Sequence, residues 1–143
     1  MGMNFRHAEP AAVATAIVSI EEKLSPQVLV VDDSRDVREF VALLLRLSGY
    51  RVLKASDGNS ARDILKTEHP DLVISDLEMP AGNGWDVLTY CHAQHPDLPV
   101  LIVSSATFGR RPDVESWASG YLPKPLNLVR FHDEVQRLLS RAA

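Results

Sequence analysis

The seven residues Val28-Leu29-Val30-Val31-Asp32-Asp33-Ser34 constrain this chain more than any other stretch. Four apolar residues, three of them valine, make a run too short for a buried helix. The run breaks off at two adjacent carboxylates and a serine able to cap a helix. Such a run is a buried strand that delivers acid to its carboxyl end. The pattern returns at Leu72-Val73-Ile74-Ser75-Asp76 and at Val100-Leu101-Ile102-Val103-Ser104. Parallel strands covered on both faces read as continuous apolar runs, and in open α/β sheets ligands sit outside the carboxyl ends of the strands. One site lined by Asp32, Asp33, Asp76 and Ser104 is therefore expected.

Helical spacing fills the intervals between the strands. Val37, Phe40, Val41, Leu44 and Leu47 recur at helical spacing after Ser34, and Gly49 stops that helix. Residues 51–55 read as a short strand, Asp57-Gly58 opens a helix that ends at His69-Pro70, and residues 85–94 form another that ends at His95-Pro96. Residues 78–84 are a Pro- and Gly-rich loop, and residues 113–118 give only a short helix. A fifth strand begins at Gly120, and its Pro123, which has no backbone donor, places it at the border of the sheet. Leu128, Phe131, Val135, Leu138 and Leu139 stripe a final helix. Five strands alternating with helices specify an α/β fold with a parallel sheet covered on both faces. Residues 27–141 form this domain. Residues 1–26 are an Ala-rich extension in which Val13, Ile17, Ile20 and Leu24 share one helical face, suited to docking on the domain or on a second copy.

Carboxylates gathered at one sheet edge repel one another, and a hard divalent cation with oxygen ligands relieves the repulsion; Mg²⁺ is the natural choice. Ser104 and Lys124, at the ends of two further strands, add a hydroxyl and an ammonium. Acid, metal, hydroxyl and lysine together make a set suited to phosphoryl transfer: a nucleophile, a charge neutraliser and two groups to hold phosphate oxygens.

Asp32-Asp33 after the first strand, Asp76 followed by Met79-Pro80 and Asn83-Gly84, Ser104 after Pro99-Val100-Leu101-Ile102-Val103, and Lys124-Pro125 after Gly120-Tyr121 together resemble the receiver domain of two-component response regulators. The resemblance implies a flavodoxin-like, doubly wound five-stranded sheet of order 2-1-3-4-5. It implies that Asp76 accepts a phosphoryl group from a histidine kinase or a phosphotransfer protein. Asp33, Asp76 and the backbone carbonyl of Glu78 would ligate Mg²⁺, with Asp32 acting mostly through water. Lys124 would pair with Asp76, Ser104 would bind the phosphate, Tyr121 would turn inward as the switch, and the Lys124-Pro125 peptide would be cis. Asn83 stands where the family usually has Asp, and Ser105 where a small apolar residue is usual.

On this reading the chain is no enzyme beyond catalysing its own phosphorylation and dephosphorylation, and its output is altered binding to a downstream protein. A haloacid-dehalogenase-type phosphatase uses similar groups, but it needs a D-x-D pair after its first strand and a further acidic pair after its lysine. Here the first acids are adjacent, and Pro125-Leu126-Asn127 follows Lys124. A receiver-like binding scaffold without phosphorylation is the third reading. A net charge of -4 argues against direct nucleic-acid contact. No run reaches the ~20 apolar residues of a membrane span. The single cysteine, Cys91, suits a reducing cytoplasm, and a homodimer remains open.

Overall fold

The computed structural model describes residues 9–79, 83–105 and 116–141. Five strands, β1 (Gln27–Val31), β2 (Arg51–Ala55), β3 (Leu72–Ser75), β4 (Val100–Ser104) and β5 (Gly120–Pro123), form one parallel sheet of order β2-β1-β3-β4-β5. Helices α1 (Pro10–Leu24), α2 (Arg35–Leu47), α3 (Gly58–Thr67), α4 (Gly84–Gln94) and α5 (Leu128–Arg141) complete the described elements. The doubly wound order is the one the resemblance implies. Half of the short helix expected over residues 113–118, residues 113–115, lies outside the described residues, as does Pro80-Ala81-Gly82 of the loop after β3; in the described half residues 116 and 117 form a turn before β5 and no helix.

The sheet is buried on both sides because successive strand side chains point to opposite faces. Val28, Val30, Leu72, Ile74, Leu101, Val103 and Leu122 meet Val41 and Leu45 of α2 and Phe131, Val135 and Leu138 of α5. Leu29, Val31, Val73 and Ile102 meet Ala61 and Leu65 of α3 and Val87, Leu88 and Cys91 of α4. The edge strands carry the exposed positions, and β5 with its Pro123 is one of them.

Local chemistry sets the helix boundaries. The Ser34 hydroxyl accepts from the Val37 amide, and Gly49 leaves α2 with φ at +91°, a left-handed turn that glycine adopts freely. Asp57 caps α3 by accepting from the Ser60 amide, which holds its carboxyl below the ordinary range. At α4 the Asn83 side chain accepts from the Asp86 amide while the Asp86 carboxylate accepts from the Asn83 amide, so the helix starts at Gly84, one residue earlier than expected. Helix α1 leaves Ile17, Ile20 and Leu24 open to water. Among the described residues no helix is long and apolar enough to cross a membrane.

Candidate functional site

Strand register brings the acids together. Val31 of β1 lies level with Ser75 of β3, so the residues that follow, Asp32-Asp33 and Asp76, emerge side by side. Two further backbone bonds hold them there: the Asp76 amide donates to the Val31 carbonyl (3.1 Å) and the Asp32 amide to the Ala55 carbonyl (3.2 Å). Across the sheet, β4 aligns Ser104 with Pro123, and the Lys124 amide donates to the Ser104 carbonyl (3.1 Å). Lys124 thereby stands at the same edge as the acids.

One carboxylate oxygen from each of Asp32, Asp33 and Asp76 falls within 4.8 Å of the others, and this is the one such cluster among the described residues. Lys124 Nζ bridges two of them, 2.8 Å from Asp76 Oδ2 and 2.9 Å from Asp32 Oδ2. The other Asp76 oxygen accepts from the Glu78 amide (3.2 Å) and the other Asp32 oxygen from the Ser34 amide (2.9 Å). Asp32 is buried with both oxygens engaged, whereas Asp33 is exposed and lines an open cavity of about 520 Å³ with Leu77, Glu78, Met79, Asn83 and Trp85. Ser104 is buried at the end of β4, and the Tyr121 hydroxyl donates to its carbonyl (3.3 Å). The Lys124-Pro125 peptide is cis.

The sequence brings all these residues to one edge, but the roles of two contributors were not read from it. Arg38, one turn into α2, donates from its guanidinium to the Asp32 carbonyl (2.7 Å) and ties the acidic loop to the helix. Gly84 lies against the Asp76 backbone: a Cβ there would collide with the Asp76 carbonyl oxygen. An arginine six residues after Asp32 is the only signal the first leaves in the sequence; Gly84 belongs to the Asn83-Gly84 pair that carries the resemblance, but its packing against Asp76 leaves no signal of its own.

Electrostatics make Lys124 a firm bridge. Burial pulls its pKa down, but hydrogen bonds and charge attraction from Asp76 and Asp32 outweigh this and raise it above the ordinary 10.5. In the core, burial pushes the Cys91 thiol up from its ordinary 9 to about 12. Both shifts work in the same direction, since the unfolded chain releases each proton before the folded chain does. Their stabilising effect is complete below the unfolded values and is lost as pH rises through the folded ones. Stability should therefore decline above pH 9, where Cys91 begins to contribute, with a slope approaching about 1.4 kcal/mol per pH unit. The Lys124 contribution joins above 10.5. Urea titrations at successive pH values should show the first decline in the parent and not in Cys91→Ala; an equal decline in both would refute the assignment.

Three carboxylate oxygens at one rim, hard donors with room for retained water beside Asp33, fit a Mg²⁺ ion. Comparison with known proteins points the same way. A family model described as the response regulator receiver domain matches residues 28–136. Transcriptional regulatory protein PrrA of Mycobacterium tuberculosis is 39% identical over 119 residues, covering 82% of this chain and 51% of PrrA. Response regulator MprA of Mycolicibacterium vanbaalenii is 35% identical over 117 residues, covering 80% of this chain and 51% of MprA. The chain thus spans about half the length of these curated relatives. Among solved structures, a Francisella response regulator receiver domain superposes with a TM-score of 0.75 at 26% identity, covering 83% of this chain and 100% of that one. TrrA of Thermotoga maritima, solved in complex with Mg²⁺ and BeF, gives 0.74 at 27% identity over 79% of this chain and 98% of its own.

Proposed function

Because the chain belongs to the response regulator receiver domain family of two-component signalling, we propose that Asp76 is the residue on which it accepts its phosphoryl group. The observation that carries this reading is the bridge from Lys124 Nζ to Asp76 Oδ2 at 2.8 Å, at the carboxyl end of the central strand β3. Asp32 is buried at the end of β1 while Asp76 is only partly so, and Asp33 lies out in the open cavity. In the transfer, an Asp76 carboxylate oxygen forms the new bond to phosphorus while the bond from phosphorus to the donor's histidine nitrogen breaks. The donor is a histidine kinase or a phosphotransfer protein.

Asp33, Asp76 and the Glu78 carbonyl would hold Mg²⁺, with Asp32 contributing through water; the ion supplies positive charge against the phosphoryl oxygens and the crowded acids. Lys124 neutralises Asp76 before transfer and holds a phosphoryl oxygen afterwards. The Ser104 hydroxyl donates to another phosphoryl oxygen, and Tyr121, already bonded to the Ser104 carbonyl, passes the movement to the β5 edge. The result is altered binding to a downstream protein in the cytoplasm, with no turnover of a separate substrate. A haloacid-dehalogenase-type phosphatase is not favoured, since the acids after β1 are adjacent and no acidic pair follows Lys124.

Intact-mass spectrometry after exposure to acetyl phosphate tests the reading. With Mg²⁺ the protein should gain one phosphoryl group, and the gain should fall at least about tenfold without the ion or in Asp33→Ala. No gain under any condition would leave the binding-scaffold reading in its place.

A further inference from the structure

Two helices of this chain carry apolar stripes that the acceptor site does not use. On α1, Ile17, Ile20 and Leu24 follow one another at spacings of three and four residues and are 50%, 52% and 78% exposed. On α2, Phe40, Leu43 and Leu47 repeat the same spacing at 47%, 51% and 76% exposure, away from the Val41 and Leu45 side that packs on the sheet. Residues at i, i+3 and i+7 form one continuous helical ridge, the geometry by which two helices interdigitate. Isolated exposed apolar residues are ordinary; two matched ridges are not.

The two ridges cannot meet within one chain. Only Ser25 and Pro26 connect α1 to β1, and both are tied down: Arg51 Nε donates to the Ser25 carbonyl (3.0 Å) and the Arg51 amide to the Pro26 carbonyl (2.9 Å). Gln27 is held in turn, exchanging bonds with Asp71 at 2.7 and 2.8 Å. A helix laid on α2 has its axis about 8–10 Å from that of α2, which itself stands a layer above the sheet. Two extended residues span at most ~7 Å. The Arg51 anchor also places the end of α1 at the corner where α2 terminates and the chain enters β2. The tether thus holds the α1 ridge off the α2 ridge of its own copy, and both stay exposed.

We propose that the occupant is a second copy of this chain, in a two-fold symmetric dimer in which the α1 ridge of each copy seats on the α2 ridge of the other. A reciprocal contact satisfies both ridges at once and closes, as an isologous interface must. Six apolar side chains at these exposures form the apolar centre of such a contact, and the polar residues around them make up the rest of the ~800 Å² that each partner contributes to a standard interface. Both halves of the contact lie on one sequence, so no further protein is needed to complete it.

Sedimentation equilibrium of the full chain should show a dimer. Ile20→Glu and Leu43→Glu, each a change at an exposed position outside the acid cluster, should each raise the dissociation constant at least about a hundredfold while phosphoryl uptake persists. Ile20→Cys protein mixed with Leu43→Cys protein should form an intermolecular disulfide under mild oxidation, faster than either variant alone; the native Cys91 is buried. A monomer at all concentrations would overturn the proposal. So would a dimer indifferent to Leu43→Glu, which would mean that α1 pairs with α1. A disulfide formed within one chain of the Ile20→Cys, Leu43→Cys double variant would show that α1 folds back on its own domain.

Discussion

Asp76→Asn should take up no phosphoryl group from acetyl phosphate and Mg²⁺ under conditions that fully modify the parent. The substitution keeps the shape of the side chain and removes the charged oxygen that would attack phosphorus. Its environment is otherwise preserved, because Lys124 keeps Asp32 as a partner at 2.9 Å and the Glu78 amide can still donate to the Asn oxygen. The variant should therefore fold. Replacing one of two carboxylates around a single ammonium also lessens repulsion between them, so stability should change by no more than about 1 kcal/mol. Loss of uptake with retained stability separates a chemical role from a structural one. Intact mass and a urea titration on the same sample measure both, and an Asn variant that is phosphorylated like the parent would transfer the acceptor role to Asp33.

Much of this site was legible because burial and chemistry fall on separate residues. An apolar run that stops at a carboxylate marks both a strand and its functional end, as at Val31-Asp32 and Ser75-Asp76, and the parallel register then brings the two ends level. Capping residues were equally plain, since Ser34 and Asp57 use side-chain oxygens for which the helix start has a direct need. The allocation of strand residues to the two faces was not readable. A strand covered on both sides shows no alternation of polar and apolar residues, so nothing in Val28-Leu29-Val30-Val31 says that Val28 and Val30 meet α2 and α5 while Leu29 and Val31 meet α3 and α4. Arg38 escaped for a different reason. Its partner is a backbone carbonyl, which every residue has, so the contact leaves no pattern of residue types. The bridge of Lys124 to Asp76 and to Asp32, which lies 92 residues away along the chain, depends on where β5 lies beside β4.

Gly84→Ala should damage the acceptor site more than a methyl group added at Gly49 or Gly120. Gly84 opens α4, and its amide donates to the Leu77 carbonyl (2.9 Å), so the helix start is pressed against the segment that carries Asp76. An added Cβ would collide with the Asp76 carbonyl oxygen and meet the Leu77 Cα at 2.7 Å and the Asp76 carbonyl carbon at 2.8 Å. All three are backbone atoms, so no side-chain rotation relieves the clash. Either α4 withdraws, which loosens Val87, Leu88 and Cys91 in the core, or the Asp76 backbone shifts and carries its carboxylate away from Lys124. Overpacking of this kind costs about 1–3 kcal/mol of stability, and a displacement of about 1 Å at a reacting group can slow a reaction by about a hundredfold. Gly120→Ala is the informative control. Its Cβ would meet the far end of the Glu134 side chain at 2.7 Å and Leu101 Cδ1 at 3.2 Å; both are side-chain atoms, so the carboxylate can swing aside and the leucine needs to give only a few tenths of an ångström. The two variants should thus diverge. Gly120→Ala should be phosphorylated at close to the parental rate, whereas Gly84→Ala should be slowed at least about tenfold even at temperatures where urea titration shows it folded. Equal rates in the two variants would show that the close approach of α4 does not position Asp76.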